Sequence, residues 1–224
     1  MPESVLDAIE IETRSDPDAA VIWMHGLGDD GRGWSEVVPA LGLPRELSIR
    51  FVFPHAPVMP VTINNGMQMR AWYDIRQADL NDRADLDGVR RSQAHVERLL
   101  AREAGRGIAA ERTLLAGFSQ GGAIALYAGV RHPQRLAGIV ALSTYLIGAE
   151  RVPSEASAAN RDVPIFMAHG TYDQVVQIAW AERSRDALTA GGWAVEWHVY
   201  PIEHSAAIEE VVAAGAFIAR VLTK

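Results

Sequence analysis

The chain has 224 residues, 49% apolar and 22% charged, with a net charge of −7. Those figures suit one domain spanning residues 1–224 with a sizeable core. They disfavour nucleic acid and anionic membranes as partners, because both need a basic footprint, and the lack of cysteine excludes disulfides, zinc–thiolate sites and a cysteine nucleophile.

Met1–Glu12 carries Glu3, Asp7 and Glu10, without the basic start and apolar run of a signal peptide. No apolar stretch is long enough to span a bilayer, and neither end shows a lipidation signal. A soluble, cytoplasmic protein without integral membrane association is expected. Val5–Glu12 reads as an added edge strand. From Ala19 onward short apolar runs alternate with amphipathic segments. The runs are Ala19–His25, Ile49–Phe53, Thr113–Ala116, Leu136–Leu142, Val163–Ala168 and Val195–Tyr200. Their lengths and branched residues suit strands buried on both faces.

Helices are expected between them. Asp85–Ala104 places Leu86, Val89, Val96 and Leu100 on one side, with Asp85 as its cap. Gln120–Arg131 is mostly small and apolar, and Val176–Ala190 runs to a Gly-Gly pair. Ser205–Leu222 places Ile208, Val211, Gly215, Ile218 and Leu222 on one face. This alternation argues for a mostly parallel sheet covered on both faces. Pro54–Asp82 fits neither pattern: it holds three prolines, two adjacent asparagines, three methionines, a tryptophan and a tyrosine. It reads as a long irregular loop, of the kind that often serves function.

The chemistry starts at Gly117-Phe118-Ser119-Gln120-Gly121. This G-x-S-x-G run follows a strand and opens a helix, the setting of a nucleophile elbow. A serine hydroxyl needs a base to become a nucleophile, and the chain has 7 histidines. His95 and His132 sit on or at the end of helices and read as surface residues. His198 is inside a strand and His55 in the long loop. His25 and His169 each end a strand before a glycine and read as packing or bracing residues. His204 lies just past Val195–Tyr200 and before the last helix. That is a carboxyl strand end, where sites gather in open α/β sheets. It also satisfies the chain order serine, acid, histidine. Asp173 follows Val163–Ala168, whereas Asp162 is at the wrong end of that strand and Asp186 is inside a helix. Asp173 is therefore expected to bind His204 Nδ1–H and fix its tautomer.

Two N–H donors are needed for an oxyanion. Gln120, after the serine, should give one, and Leu27, in the loop after an early strand, the other. The same loop contains Gly26-Leu27-Gly28-Asp29-Asp30-Gly31, a G-x-G-x-x-G match. Asp29 and Asp30 would place negative charge where a pyrophosphate must sit, which opposes the dinucleotide reading. No H-E-x-x-H or comparable ligand spacing occurs. Neither a metal nor a cofactor is expected.

The chain resembles the carboxylesterase and acyl-protein thioesterase family, also called the phospholipase/carboxylesterase family. It looks most like the small bacterial carboxylesterases. The pieces that carry the resemblance span most of the chain in order. They are His25-Gly26-Leu27-Gly28-Asp29, Phe53-Pro54-His55-Ala56-Pro57, Pro60-Val61-Thr62-Ile63-Asn64, Arg70-Ala71-Trp72-Tyr73-Asp74, Gly117 to Gly122, Leu142-Ser143-Thr144-Tyr145, His169 to Val176, and Glu203-His204-Ser205. The resemblance implies an α/β-hydrolase fold, with a mostly parallel central sheet, helices on both faces and no large lid domain. It also implies Ser119, Asp173 and His204 as catalytic triad and Leu27 and Gln120 as oxyanion donors. An acyl channel bordered by Met67, Met69, Trp72, Tyr145 and Val176 would follow. Gln174 and Gln177 stand where the family often has proline.

The expected activity is a serine carboxylesterase acting on short- to medium-chain esters through an acyl-enzyme on Ser119. An acyl-protein thioesterase or lysophospholipase-like activity is the alternative, and a non-catalytic ligand-binding protein on the same fold is the reading of another class. The expected partner is a small-molecule ester or thioester, and a homodimer is left open.

Overall fold

The computed structural model describes residues 4–77 and 85–223. In chain order its elements are β1 (Ala8–Glu12), β2 (Ala19–Met24), α1 (Gly31–Ser35), β3 (Ile49–Pro54), β4 (Val58–Val61) and β5 (Met67–Arg70). Then come α2 (Leu86–Gly105), β6 (Thr113–Phe118), α3 (Gln120–Gly129), β7 (Gly138–Leu142), α4 (Val152–Glu155), β8 (Ile165–Gly170), α5 (Ile178–Ala190), β9 (Val195–Tyr200) and α6 (Ile208–Leu222).

Seven strands form one sheet in the order β1-β3-β2-β6-β7-β8-β9. Only β1 is antiparallel to its neighbour; the others pair in parallel. The chain leaves β2 for β3 on one side and later returns to β6 on the other. Such a reversal opens a crevice at the carboxyl ends of the strands. The register lines up those ends: Met24 pairs with Gly117, Phe118 with Leu142 and Gly170 with Tyr200.

Alternating strand residues feed two cores. Ile22 and Met24 join Val89, Val96, Leu99 and Leu100 of α2, the side chains of α3, and Leu188 of α5. Val21 and Trp23 join Phe51, Phe166 and, from α6, Val211, Phe217 and Ile218. The sheet is thus covered on both faces, as its apolar runs require. Every residue of α3 is buried, which accounts for its lack of a polar side.

The structure corrects several sequence expectations. β9 is an edge strand with half-buried residues and an exposed Val199, so it is not covered on both faces. Helix α6 begins at Ile208, and that residue is 58% exposed, off the buried stripe. Asp85 sits at the N-cap of α2, but its carboxylate makes no cap hydrogen bond. It meets Arg76 at 3.1 Å and Arg91 at 3.4 Å instead. His132 is buried and bonded to Glu97 at 2.8 Å, and His95 is half-buried.

The stretch read as irregular contains a hairpin: β4 and β5 pair antiparallel, with Val61 opposite Met67. A 3-10 turn, Thr62–Asn64, leads into Asn65 and Gly66, both left-handed at φ 55° and 74°. Residues 78–82 of that stretch, like Met1–Glu3 at the start of the chain, lie outside the described residues. Among the described residues, no helix is long and apolar enough to cross a membrane.

Candidate active site

Three loops meet at the carboxyl edge of the sheet. The first is the turn from β6 into α3. Ser119 has φ 52° and ψ −120°, a conformation that costs a residue with a side chain about 1–3 kcal/mol. Its N–H donates to Leu142 O at 2.8 Å, and its carbonyl accepts from the Thr144 hydroxyl at 2.6 Å. Close approach of backbones makes the flanking glycines obligatory. A Cβ on Gly117 would lie 2.4 Å from the Gly121 carbonyl carbon, and one on Gly121 would lie 2.3 Å from Met24 O.

The second loop follows β8. Asp173 Oδ1 accepts from the N–H groups of Val175 at 2.9 Å and Val176 at 2.8 Å. The third follows β9, and it carries His204. His204 Nδ1 meets Asp173 Oδ2 at 2.6 Å, and its Nε2 meets Ser119 Oγ at 2.9 Å. The hydroxyl, imidazole and carboxylate that the sequence placed far apart therefore form one hydrogen-bonded line. Burial opposes the Asp173 charge, but the bond from His204, the Val176 and Val175 N–H groups and the nearby imidazole outweigh it. The net effect holds its pKa below the ordinary carboxylate value. A carboxylate that stays ionised keeps His204 Nδ1 protonated and leaves Nε2 free to accept the serine proton.

A cavity of about 260 Å3 opens onto this line. Its lining includes Leu27, Trp34, Phe118, Gln120, Tyr145 and Val176, together with Ser119 and His204. The wall is largely aromatic and aliphatic, with Asp29 also at its edge. Gln120 is the first residue of α3, so its N–H has no partner within the helix. Leu27 N–H makes no backbone hydrogen bond among the described residues. Both residues line the cavity together with Ser119.

Of the remaining residues expected near an acyl chain, Tyr145 and Val176 line the cavity, whereas Met67, Met69 and Trp72 are not among its described lining residues. Met67 is 63% exposed on the hairpin, and Met69 sulfur accepts from Asn64 Nδ2 at 3.3 Å. Trp72 is buried behind the wall, where its indole donates to His25 O at 2.9 Å and its carbonyl accepts from the Ser92 hydroxyl.

Sequence reasoning read His25 as a packing or bracing residue but missed the Gln120 clamp. The Gln120 side chain accepts from Trp72 N–H at 2.8 Å and donates to Tyr73 O at 2.7 Å, clamping the segment after β5 to the elbow. His25 Nδ1 meets Gly26 O at 2.7 Å, while Nε2 accepts from Ala56 N–H at 3.0 Å. That pattern makes His25 neutral with its proton on Nδ1, and burial pushes its pKa down accordingly. The only sequence signal for such braces is the histidine–glycine pair at a strand end. The G-x-G-x-x-G match takes a local role: Asp30 caps α1 by accepting from Arg32 N–H at 2.7 Å. Among the described residues, no group of three His, Cys, Asp or Glu side chains could hold a metal ion.

A doubly covered, mostly parallel sheet with this elbow at the crevice defines an α/β-hydrolase of the serine-esterase type. The chain belongs to the phospholipase/carboxylesterase family, whose profile matches residues 6–222. It is 42% identical over 217 residues to an acyl-protein thioesterase 1 of Neurospora crassa, covering 92% of this chain and 88% of that one. Among solved structures it is similar to SOBER1 of Arabidopsis thaliana, with TM-score 0.86 and 28% identity over 91% of this chain and 99% of that one. It is also similar to acyl-protein thioesterase 2 of Zea mays, with TM-score 0.84 and 31% identity over 96% and 99% of the two chains.

Proposed function

We propose that this chain hydrolyses short- to medium-chain carboxylic esters in the cytoplasm through an acyl-enzyme on Ser119. The observation that carries the reading is the line Ser119 Oγ, His204 Nε2, His204 Nδ1, Asp173 Oδ2 with spacings of 2.9 Å and 2.6 Å. His204 takes the Ser119 proton as the hydroxyl oxygen attacks the carbonyl carbon. The oxyanion is held by the Leu27 and Gln120 N–H groups. His204 then gives its proton to the leaving alcohol as the ester bond breaks. Water repeats the sequence, releasing the acid and restoring the serine. Asp173 keeps the imidazole oriented and stabilises its charged form.

The modest apolar cavity supports acyl groups of limited length. A second reading, an acyl-protein thioesterase, is favoured by the 42% identity to a relative of that name. The chemistry is the same with a thiolate leaving. Rates over a series of ester and thioester chain lengths, set beside a palmitoylated peptide, separate the two. Stoichiometric labelling of Ser119 by a fluorophosphonate tests both against a non-catalytic binding protein. Failure to label would remove the nucleophile assignment.

A further inference from the structure

His169 lies at the end of β8, buried, and outside the line just described. Its Nε2 is 2.7 Å from Val176 O and 3.4 Å from Asp173 Oδ2. Among the described residues its Nδ1 has no hydrogen-bond partner. Two oxygens face one nitrogen, so that nitrogen must carry the proton: a lone pair there would meet two others. Protonating Nδ1 as well would bury an N–H donor with nothing to receive it, a cost that keeps the ring neutral. Burial accordingly pushes the His169 pKa down, against the pull of the Val176 carbonyl and Asp173.

The contacts close a ring. Val176 N–H holds Asp173 Oδ1 at 2.8 Å, Val176 O holds His169 Nε2–H, and the same N–H faces Asp173 Oδ2. The ring is anchored on the sheet, because His169 is opposite Val199 in the β8–β9 register and its imidazole stacks near Trp197. The next residue completes the arrangement. A Cβ on Gly170 would lie 2.4 Å from Ile202 O and 2.5 Å from Glu203 O, so only glycine lets the His204 loop pass that close.

We propose that His169 is a positioning residue: an imidazole whose Nε2–H ties the general-base partner Asp173 to the cavity wall at Val176. This rests on the Ser119–His204–Asp173 reading above. Its effect has two parts. The bond to Val176 O fixes the turn whose N–H groups hold the carboxylate. The weaker contact to Oδ2 draws charge from the oxygen that His204 uses, so removing it strengthens the hold of Asp173 on the His204 imidazolium. The charged groups around His169 are Asp173 and His204 from the two loops and Glu182 from α5.

The test compares His169→Phe with His169→Gln, whose amide nitrogen can reach the position of Nε2. His169→Phe should lower kcat roughly twofold to tenfold, the range for losing one neutral hydrogen bond. It should also move the rising limb of kcat/KM to higher pH. His169→Gln should restore most of kcat and the limb. A folded His169→Phe protein with wild-type kcat and pH profile overturns the proposal. So does a loss that glutamine does not rescue, or a loss of kcat with an unmoved limb, both of which mean packing alone.

If the phenylalanine variant does not fold, nitrogen NMR of the wild-type histidines decides. His169 should show a protonated Nε2 and a bare Nδ1 at neutral pH. A proton on Nδ1 overturns the proposal. Fluorophosphonate labelling in the same samples keeps the two ideas apart: unlabelled Ser119 in wild-type protein refutes the reading it rests on, whereas labelled Ser119 with an inert His169→Phe change refutes only this one.

Discussion

At Ser119 the hydroxyl can be removed without disturbing anything that holds it. Its backbone is fixed by Leu142 O and Thr144 Oγ1, not by its side chain. Ser119→Ala should therefore fold normally and lose turnover by roughly a thousandfold or more, leaving binding and the oxyanion donors. Steady-state rates on a chromogenic ester check this. Asp173→Asn should cost about 10⁴ in kcat, because an amide can present its NH2 to His204 and so favour the wrong tautomer. Asp173 also bears on stability. Its pKa is depressed in the folded chain, so its contribution is present above the ordinary aspartate value and is lost as pH falls through the lowered one.

The elements were read from the sequence to very different degrees. The strands β2, β3 and β6 to β8 were visible as apolar runs, because strands between two layers of helix have little polar surface to confuse the signal, whereas β9 was read as such a strand and is a half-buried edge. The elbow was visible because Gly117, Ser119 and Gly121 are fixed by backbone contact, leaving few alternatives. The β4–β5 hairpin was not visible. Its strands have only four residues each, Pro60 interrupts the first, and exposed Val58 and Met67 break any inside–outside alternation. The one usable signal was Asn65-Gly66, since that pair suits the left-handed turn it makes. The histidine–glycine pairs marked His25 and His169 as packing or bracing residues, but the Gln120 clamp was illegible because its partners Trp72 and Tyr73 lie far off in sequence.

The Gln120 clamp has a measurable consequence at this scale. Gln120→Glu can still accept from Trp72 N–H but cannot donate to Tyr73 O, and it brings a buried charge. An unmade buried bond costs about 1–3 kcal/mol. The denaturant midpoint should fall accordingly, checked by urea unfolding at neutral pH.

For the molecule as a whole, pH dependence of stability should show opposing terms. Glu210, buried in α6, accepts from Ala207 N–H at 3.2 Å through Oε2, and its Oε1 has no partner among the described residues. Burial pushes its pKa up to about 7, against that single N–H. A raised carboxyl pKa means stability that is full below the ordinary glutamate value and lost as pH rises towards about 7. His25 and His169 act in the opposite sense. Both have lowered pKa values, so their contribution falls as pH drops below the ordinary histidine value. Glu210→Gln keeps the acceptor for Ala207 and cannot ionise. It should raise the unfolding midpoint at about pH 8 and change it little at about pH 4, where the native glutamate is already protonated.

The left-handed backbone at Ser119 sets the working enzyme against its own durability. Ser119→Gly would relax φ 52° with no side chain to accommodate, and about 1 kcal/mol gained in a chain of this size corresponds to roughly 2–4 °C in Tm. Calorimetry should find the inert variant melting later than its parent. A laboratory search for heat resistance that does not also score turnover would therefore reward the loss of the proposed nucleophile, and libraries built on this scaffold need a product readout at every round.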